Sequence, residues 1–431
     1  MRVDHPRLLS TIDETGVRIK ELEGKLKGDR VWGIWRRRYG QSTNLASRVQ
    51  LGKVLFDDLG YESKTKTATG RSTVNEDSLS QLDLPFVVDY LRWGKLQKLY
   101  STYLVGIERE VQNGKIHPVF NLHFAKTFRS SSDSPNFQNI PIRDPEIGEL
   151  IRRCFLPGDG RVLVEIDYGA LEFRIAACFW QDEKMVAYAS NPELDIHRDM
   201  ACLCYKLTVN QVSKRIRFFA KNQFVFPILY GSYYISCARN LWSVVGREQL
   251  TRNDGMPLSE HLRYEGITQL GKCDSRDVPR KGTFERHIRM VESQFNDLFP
   301  TWSERKDQWW EKYQKTGGFD LPTGFHIEGV FSRNFLFNSP IQGSAFHCLL
   351  WSLIRLDREL RQRKMKSRIV GQIHDSIVAD VVEGELDDYL QLAKRIMTED
   401  IRDCWDWIIV PLEVEAEVSK VNWWEKEVVQ I

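Results

Sequence analysis

Two aspartates stand where metal-assisted phosphoryl transfer would need them. Asp167 follows the apolar run Val162-Leu163-Val164-Glu165-Ile166, which has the pattern of a buried strand. It also opens Asp-Tyr-Gly-Ala-Leu-Glu-Phe-Arg, whose later residues read as the start of a helix. Asp375, 208 residues further on, lies with His374 between two β-branched runs, the pattern of a hairpin tip. Carboxylates at the ends of two central strands could meet on one sheet edge. They would offer hard oxygen ligands to two Mg²⁺ ions about 4 Å apart, one activating an attacking oxygen and one stabilising the leaving oxygen. The same residues also suit a helix cap and a turn, so the metal reading needs companions.

Arg217 and Lys221 are four apart and share a helical face. Such a pair could clamp a triphosphate and neutralise charge building on pyrophosphate. His197, in Asp195-Ile196-His197-Arg198, could add a donor. Phe224, Phe226 and Tyr230 follow, flat side chains able to stack on a base. Taken separately, a basic face followed by aromatics also describes a solvated helix with a core stripe.

Other elements must position these groups. Residues 7–30 read as a short strand-turn segment before the cluster Arg36-Arg37-Arg38. Val49, Leu51, Val54, Leu55 and Leu59 give an amphipathic helix between Ser47 and Gly60. Ser63 to Asn75 reads as an exposed basic loop, and Leu84 to Val111 as a long helix with Arg92, Lys95 and Lys98 on its polar side. Residues 210–235 are helical in pattern and interrupted by Pro227. Residues 243–285 look like an insertion with little core, and a further helical stretch runs from about Phe284 to Lys315.

Composition excludes some classes. No apolar run reaches 18 residues and the amino terminus lacks the apolar stretch of a secretory signal, so neither a membrane helix nor an export leader is expected. The cysteines are scattered, and Cys202 and Cys204 are too close for ordinary zinc spacing. Residues 1–130 hold 22 Lys/Arg against 15 Asp/Glu, which leaves the remainder acidic. A basic lobe beside an acidic centre suits a protein that grips a phosphate backbone and holds cations elsewhere.

In this order the segments resemble family A DNA polymerases, the bacterial DNA polymerase I family, over nearly the whole chain. Arg129 to Pro141 (Arg-Ser-Ser-Ser-Asp-Ser-Pro-Asn-Phe-Gln-Asn-Ile-Pro) is similar to the stretch before the first catalytic motif. Asp167 to Arg174 resembles motif A, Arg217 to Gly231 motif B, and Gln372-Ile373-His374-Asp375 motif C. Asn338-Ser339-Pro340-Ile341-Gln342-Gly343 matches a further signature, and Lys98-Leu99-Tyr100-Ser101-Thr102-Tyr103 looks like the family's thumb.

The resemblance implies an α+β right-hand fold with an antiparallel-sheet palm, a helical thumb and helical fingers. It implies an amino-terminal palm segment at 1–40, a thumb at 41–120 and palm with motif A at 121–175. Fingers with motif B and the insertion would span 176–332, and palm with motif C 333–431. Asp167, Asp375 and the backbone carbonyl of Tyr168 would hold two Mg²⁺ ions, with Mn²⁺ as a substitute. Arg217, Lys221 and His197 would bind the triphosphate, and Lys221 would act catalytically as proton donor to pyrophosphate. Glu172 would crowd the sugar 2′ position, Phe226 would pack on the incoming sugar, and Tyr230 would occupy the template-base position. Arg129, Asn136, Gln138, Asn338 and Gln342 would contact the primer-template minor groove, His374 the primer end, and Lys98 the duplex. The implied activity is primer extension with deoxynucleoside triphosphates by a monomer in a bacterial cytoplasm or phage-infected cell, without an attached 3′–5′ exonuclease. A separate exonuclease, helicase or primase would be its partners.

Two departures qualify the match. Ser376 follows Asp375 where the family usually has Glu, a feature shared with single-subunit RNA polymerases. These, with reverse transcriptases, form the alternative class, which Glu172 opposes; a catalytically inactive DNA-binding subunit is opposed by Asp167, Asp375, Arg217 and Lys221 together. Lys221 and Tyr230 are nine apart where the family has eight, which on a regular helix would put them on opposite faces. The extra residue is expected to be absorbed as a π-bulge.

Overall fold

The computed structural model describes residues 1–62, 74–80, 82, 84–142 and 144–431; most of the basic loop expected at Ser63 to Asn75 lies outside them. Helix α1 (His5–Gly28) is capped by Asp4, whose side chain accepts from the Arg7 amide at 3.1 Å, and it ends on Lys25 and Lys27 beside the negative pole of its dipole. This corrects the strand-turn expectation for 7–30. The buried stripe is Leu8, Thr11, Thr15, Ile19 and Leu26, at helical spacing but with two threonines where apolar residues would have signalled the period. Helix α2 (Arg30–Tyr39) follows, capped by Asp29.

The helix expected from Leu84 is present as α3 (Pro85–Lys98), continued by a π turn at Leu99–Leu104 and an α segment at Val105–Glu110. It packs on α1 through a core that includes Trp35, Phe86, Val87 and Leu104. At its polar side Arg92 pairs with Glu146, and Lys95 pairs with Glu76 and Asp144, both at 3.3 Å.

The second half is organised on a five-stranded antiparallel sheet of strands β1 (Arg161–Tyr168), β2 (Arg368–Ile373), β3 (Ser376–Val382), β4 (Val414–Ser419) and β5 (Glu427–Val429), in the order β5-β4-β1-β3-β2. Alternation divides β1 between two environments. Val162, Val164, Ile166 and Tyr168 enter the larger core with Ile377, Ala379, Ala416 and Val418. Leu163, on the opposite face, enters the core of the amino-terminal helices with Val378 and Trp423, and Glu165 and Asp167 extend that face.

After β1 come α4 (Leu171–Trp180), α5 (Ile196–Tyr205) and α6 (Lys214–Ala220). The ladder of α6 widens into a π turn at Lys221–Val225 and resumes at Phe226–Leu229, with Pro227 contributing no donor. The expected π-bulge is therefore present. Gly231 ends the segment at φ +86°, and a Cβ there would lie 2.8 Å from Phe337.

After α7 (Tyr234–Arg247), the stretch 243–285 carries more core than its composition suggested. Leu250, Leu258, Leu262, Ile267 and Cys273 are buried in the larger core, and His261 Nε2 bonds the carbonyls of Tyr205 and Lys206 at 3.1 Å. Sparse apolar residues suffice because they join a core built mainly by other segments of the chain. The single helical stretch expected over 284–315 is two helices, α8 (Phe284–Leu298) and α9 (Pro300–Thr316), broken where Pro300 starts the second. The 30-residue α10 (Arg333–Gln362), with Pro340 inside it, then crosses to the β2–β3 hairpin. No helix among the described residues is long and apolar enough to cross a membrane.

Candidate active site

Pairing brings the two aspartates to one edge of the sheet. Asp167 lies opposite Ser376, the residue after Asp375, and the Tyr168 amide donates to the Asp375 carbonyl at 3.3 Å. His374, at the hairpin tip, has φ +49°, and Gln372 Nε2 donates to its carbonyl at 2.7 Å. Asp167 opens onto the cleft yet is hemmed in by protein. That loss of hydration, followed by the charge of Asp375, pushes its carboxyl up to about 7. Asp375 is half-buried and is pushed up to about 6, by burial first and by Glu172 second.

Asp167 lines a cleft of about 420 Å³ together with His197, Arg217 and Lys221. A larger hollow of about 680 Å³, lined by Trp351, Arg355 and Asp403, shares no residue with it. Arg217 Nε donates to Asp195 at 2.5 Å, and the same carboxylate caps α5 through the amides of His197 and Arg198. Lys221 Nζ stands 5.4 Å from the centre of the Phe226 ring, and Phe226 stacks on Tyr230 at 5.7 Å and 6°. The π turn thus keeps Lys221, Phe226 and Tyr230 on one side despite their spacing. His197 is 3 % exposed, 5.6 Å from Phe226, and neither ring nitrogen has a protein partner. Burial, then the charges of Lys221 and Arg217, press its pKa down to about 3, so the imidazole is neutral.

A second cluster is centred on Glu172. Tyr230 Oη donates to Glu172 Oε2 at 2.6 Å, Arg129 pairs with Glu172 Oε1, and Gln342 bonds the Tyr230 hydroxyl. Gly343 lets α10 pass under the segment bearing Arg129, since a Cβ there would meet the Thr127 carbonyl at 2.8 Å. Gln138 is buried and occupied, donating to Ser130 Oγ at 2.7 Å and to Gln372. Asn136 is exposed and accepts from Ser132 at 3.2 Å, while Asn338 Oδ1 is buried without a protein partner. Lys98 lies exposed on the amino-terminal lobe, at the end of α3.

Sequence reasoning assigned nothing to Asp195, Glu413 or Glu415. Glu413 pairs with Arg174 at 2.5 Å, and Glu415 lies opposite Asp167 on β4; both line the cleft. The alternation Glu413-Val414-Glu415-Ala416-Glu417-Val418 signals a strand with one acidic face, but its pairing partner is not written locally.

Comparisons with known proteins bear on the family and the fold. The profile of DNA polymerase family A matches residues 21–251 and 328–425, leaving unmatched a stretch that includes most of the 243–285 insertion. DNA polymerase I of Lactococcus lactis subsp. cremoris is 31% identical over 438 residues, covering 99% of this chain and 45% of its own. DNA polymerase I of Bacillus subtilis is 28% identical over 434 residues, with 99% and 43% covered. The chain therefore spans a little under half the length of these curated relatives. In fold it is similar to the POL domain of Pol1 from M. smegmatis, solved in complex with DNA primer-template and dNTP. The TM-score is 0.76 at 24% identity, over 98% of this chain and 67% of that one. The fold is the right hand, with an antiparallel-sheet palm and helical thumb and fingers, and the chain belongs to DNA polymerase family A.

Proposed function

We propose that this chain extends a primer 3′ end with deoxynucleoside triphosphates on a DNA template. The observation that carries the reading is the meeting of Asp167 from the sheet with Arg217 and Lys221 from one helical run at a single cleft, with Asp375 beside Asp167 at the hairpin tip. In this reading residues 1–40, 121–175 and 333–431 serve as palm, 41–120 as thumb and 176–332 as fingers.

The donor set suits divalent cations. Two carboxylates hold protons near neutrality because burial and like charge disfavour their ionisation, so a cation between them relieves both. Among the described residues no three His, Cys, Asp or Glu side chains form a ready cage; Mg²⁺ accepts one or two carboxylates with substrate oxygens completing its shell. Asp167, Asp375 and the Tyr168 carbonyl would hold the ions, and these would lower the barrier by activating the primer hydroxyl and stabilising the leaving oxygen. Mn²⁺ would fit the same oxygens.

The chain's own groups do the rest. Arg217 and Lys221 neutralise the triphosphate, and Lys221 protonates the departing pyrophosphate. His197, a buried neutral ring lacking protein partners, gains an acceptor when the triphosphate enters. Phe226 packs on the incoming sugar, and Glu172, fixed by Arg129 and Tyr230, occupies the space a 2′ hydroxyl would need. Tyr230 stands at the template-base position until the fingers close. Arg129, Asn136, Gln138, Asn338 and Gln342 line the minor-groove side, His374 meets the primer end and Lys98 the duplex. Ser376 is the feature shared with RNA polymerases, and Glu172 opposes that alternative.

Primer extension on a DNA template with Mg²⁺ tests the reading. Deoxynucleotides should extend the primer, ribonucleotides should not, and Asp167→Asn and Asp375→Asn should each abolish extension. Ribonucleotide extension would move the chain to the RNA polymerase class, and intact binding without extension would make it a binding subunit.

A further inference from the structure

The sheet face that carries Asp167 carries three more carboxylates. Glu165 and Asp167 share one side of β1, and pairing sets Glu417 opposite Glu165 and Glu415 opposite Asp167. Directly opposed like charges repel, and the two pairs are treated differently. Lys426 Nζ pairs with Glu165 and also with Glu417, at 2.9 Å for the latter. Among the described residues neither Asp167 nor Glu415 has an ion-pair partner. One lysine shared by two carboxylates offsets only one of the two charges at that end of the acidic row, and among the described residues the two carboxylates at the cleft end are unpaired.

Glu165 also reaches the hairpin. Its side chain is 15% exposed, and Oε2 accepts from Trp423 Nε1 at 3.1 Å as well as from Lys426. Its Oε1 accepts from Ser376 Oγ at 3.3 Å, and the same hydroxyl lies 3.0 Å from the Ile373 carbonyl. Asp375 thus sits between two tethers, Gln372 on the His374 carbonyl before it and Ser376 on Glu165 after it. A carboxylate at position 376 would stand beside Asp375, opposite Asp167 and next to Glu165; a serine there turns repulsion into a hydrogen bond.

We propose that Glu165 is a positioning residue for the palm carboxylates: it anchors Ser376, and through it the tip bearing Asp375, and supplies from β1 the negative charge that position 376 lacks. This rests on the reading that Asp167 and Asp375 hold divalent cations. Glu165 and Ser376 then form a compensated pair, and the carboxylate should be movable from one position to the other.

The test is Mn²⁺ titration of the intact chain, followed by loss of the free-ion electron paramagnetic resonance signal, with thermal melts and primer extension alongside. Glu165→Gln keeps the shape and should weaken Mn²⁺ binding roughly 10-fold, the usual scale for a group one shell from a metal; it also breaks the buried pair with Lys426, so its melting temperature should fall. Ser376→Ala, which spares the buried ion pair, should weaken it in the same direction. Glu165→Gln combined with Ser376→Glu should regain most of the loss, a recovery that simple support of the sheet would not produce. Wild-type Mn²⁺ affinity in both single variants, or a double variant no better than Glu165→Gln, would overturn the proposal. If Asp167→Asn alone binds Mn²⁺ like the wild type, the metal reading falls and this inference with it. If Asp167→Asn loses binding and Glu165→Gln and Ser376→Ala do not, only this inference falls.

Discussion

The Tyr230 hydroxyl donates to one oxygen of Glu172 at 2.6 Å while Arg129 holds the other, so a single carboxylate ties the helix after the π turn to the segment before β1. Glu172 cannot swing aside without breaking both contacts, which is what a group excluding a 2′ hydroxyl requires. Under the proposed function, Glu172→Ala would remove the obstruction together with the tie. Steric exclusion of about 3 kcal/mol corresponds to discrimination on the order of 100-fold. Ribonucleotide incorporation relative to deoxynucleotide should rise by about that factor, read from single-nucleotide kcat/KM values. Unchanged discrimination would remove Glu172 from that role.

Phe226 stacks on Tyr230 and lies beside His197, with ring centres 5.6 Å apart. By family resemblance, a phenylalanine at this position goes with poor use of dideoxynucleotides. Phe226→Tyr should increase dideoxy incorporation, measured as chain termination against a fixed deoxynucleotide concentration, with little effect on deoxy incorporation. Comparable use of both substrates by the unaltered chain would contradict the assignment.

The raised carboxyls make the metal-free chain sensitive to pH. Asp167 at about 7 and Asp375 at about 6 lie above the ordinary carboxyl value of about 4. Between about pH 4 and pH 7 the folded chain then holds more protons than the unfolded one, and these groups withdraw stability as the pH rises through that window. Asp167→Asn should therefore melt above the wild type at pH 8 in a chelator, with the difference shrinking at pH 5. Thermal melts of the two proteins side by side check this, and added Mg²⁺ should narrow the gap at pH 8.

His347 acts with the opposite sign. It is 6% exposed, its Nδ1 lies 2.6 Å from Thr323 Oγ1, and burial holds its pKa down to about 4. Below about pH 6.5 the unfolded chain takes up a proton that the folded chain refuses until about pH 4, so stability is lost as the pH falls through that range. His347→Gln should flatten this acid slope relative to the wild type, read as melting temperature against pH.

Much of the site is legible in residue types and spacing. Asp167, Asp375, Arg217, Lys221 and Tyr230 belong to short segments whose chemistry and order along the chain identify the family, and the extra residue between Lys221 and Tyr230 predicts the π turn. Local pattern failed where buried positions were filled by unexpected residue types. Thr11 and Thr15 on α1 hide its helical period, and the apolar residues of 243–285 are too sparse to signal the core that they join.

The sequence by itself determined which groups are available for chemistry, because few residue types can ligate Mg²⁺ or clamp a triphosphate, and their motifs are contiguous. Only the tertiary structure decided how those groups are balanced. Strand register, set by packing on both faces of the sheet, puts Glu415 opposite Asp167 and Glu165 beside Ser376. Long-range contacts give Arg217 to Asp195 and Glu172 to Arg129 and Tyr230. A shift of one residue in pairing would turn every one of those strand side chains to the other face, and nothing in local spacing specifies which strand pairs with which.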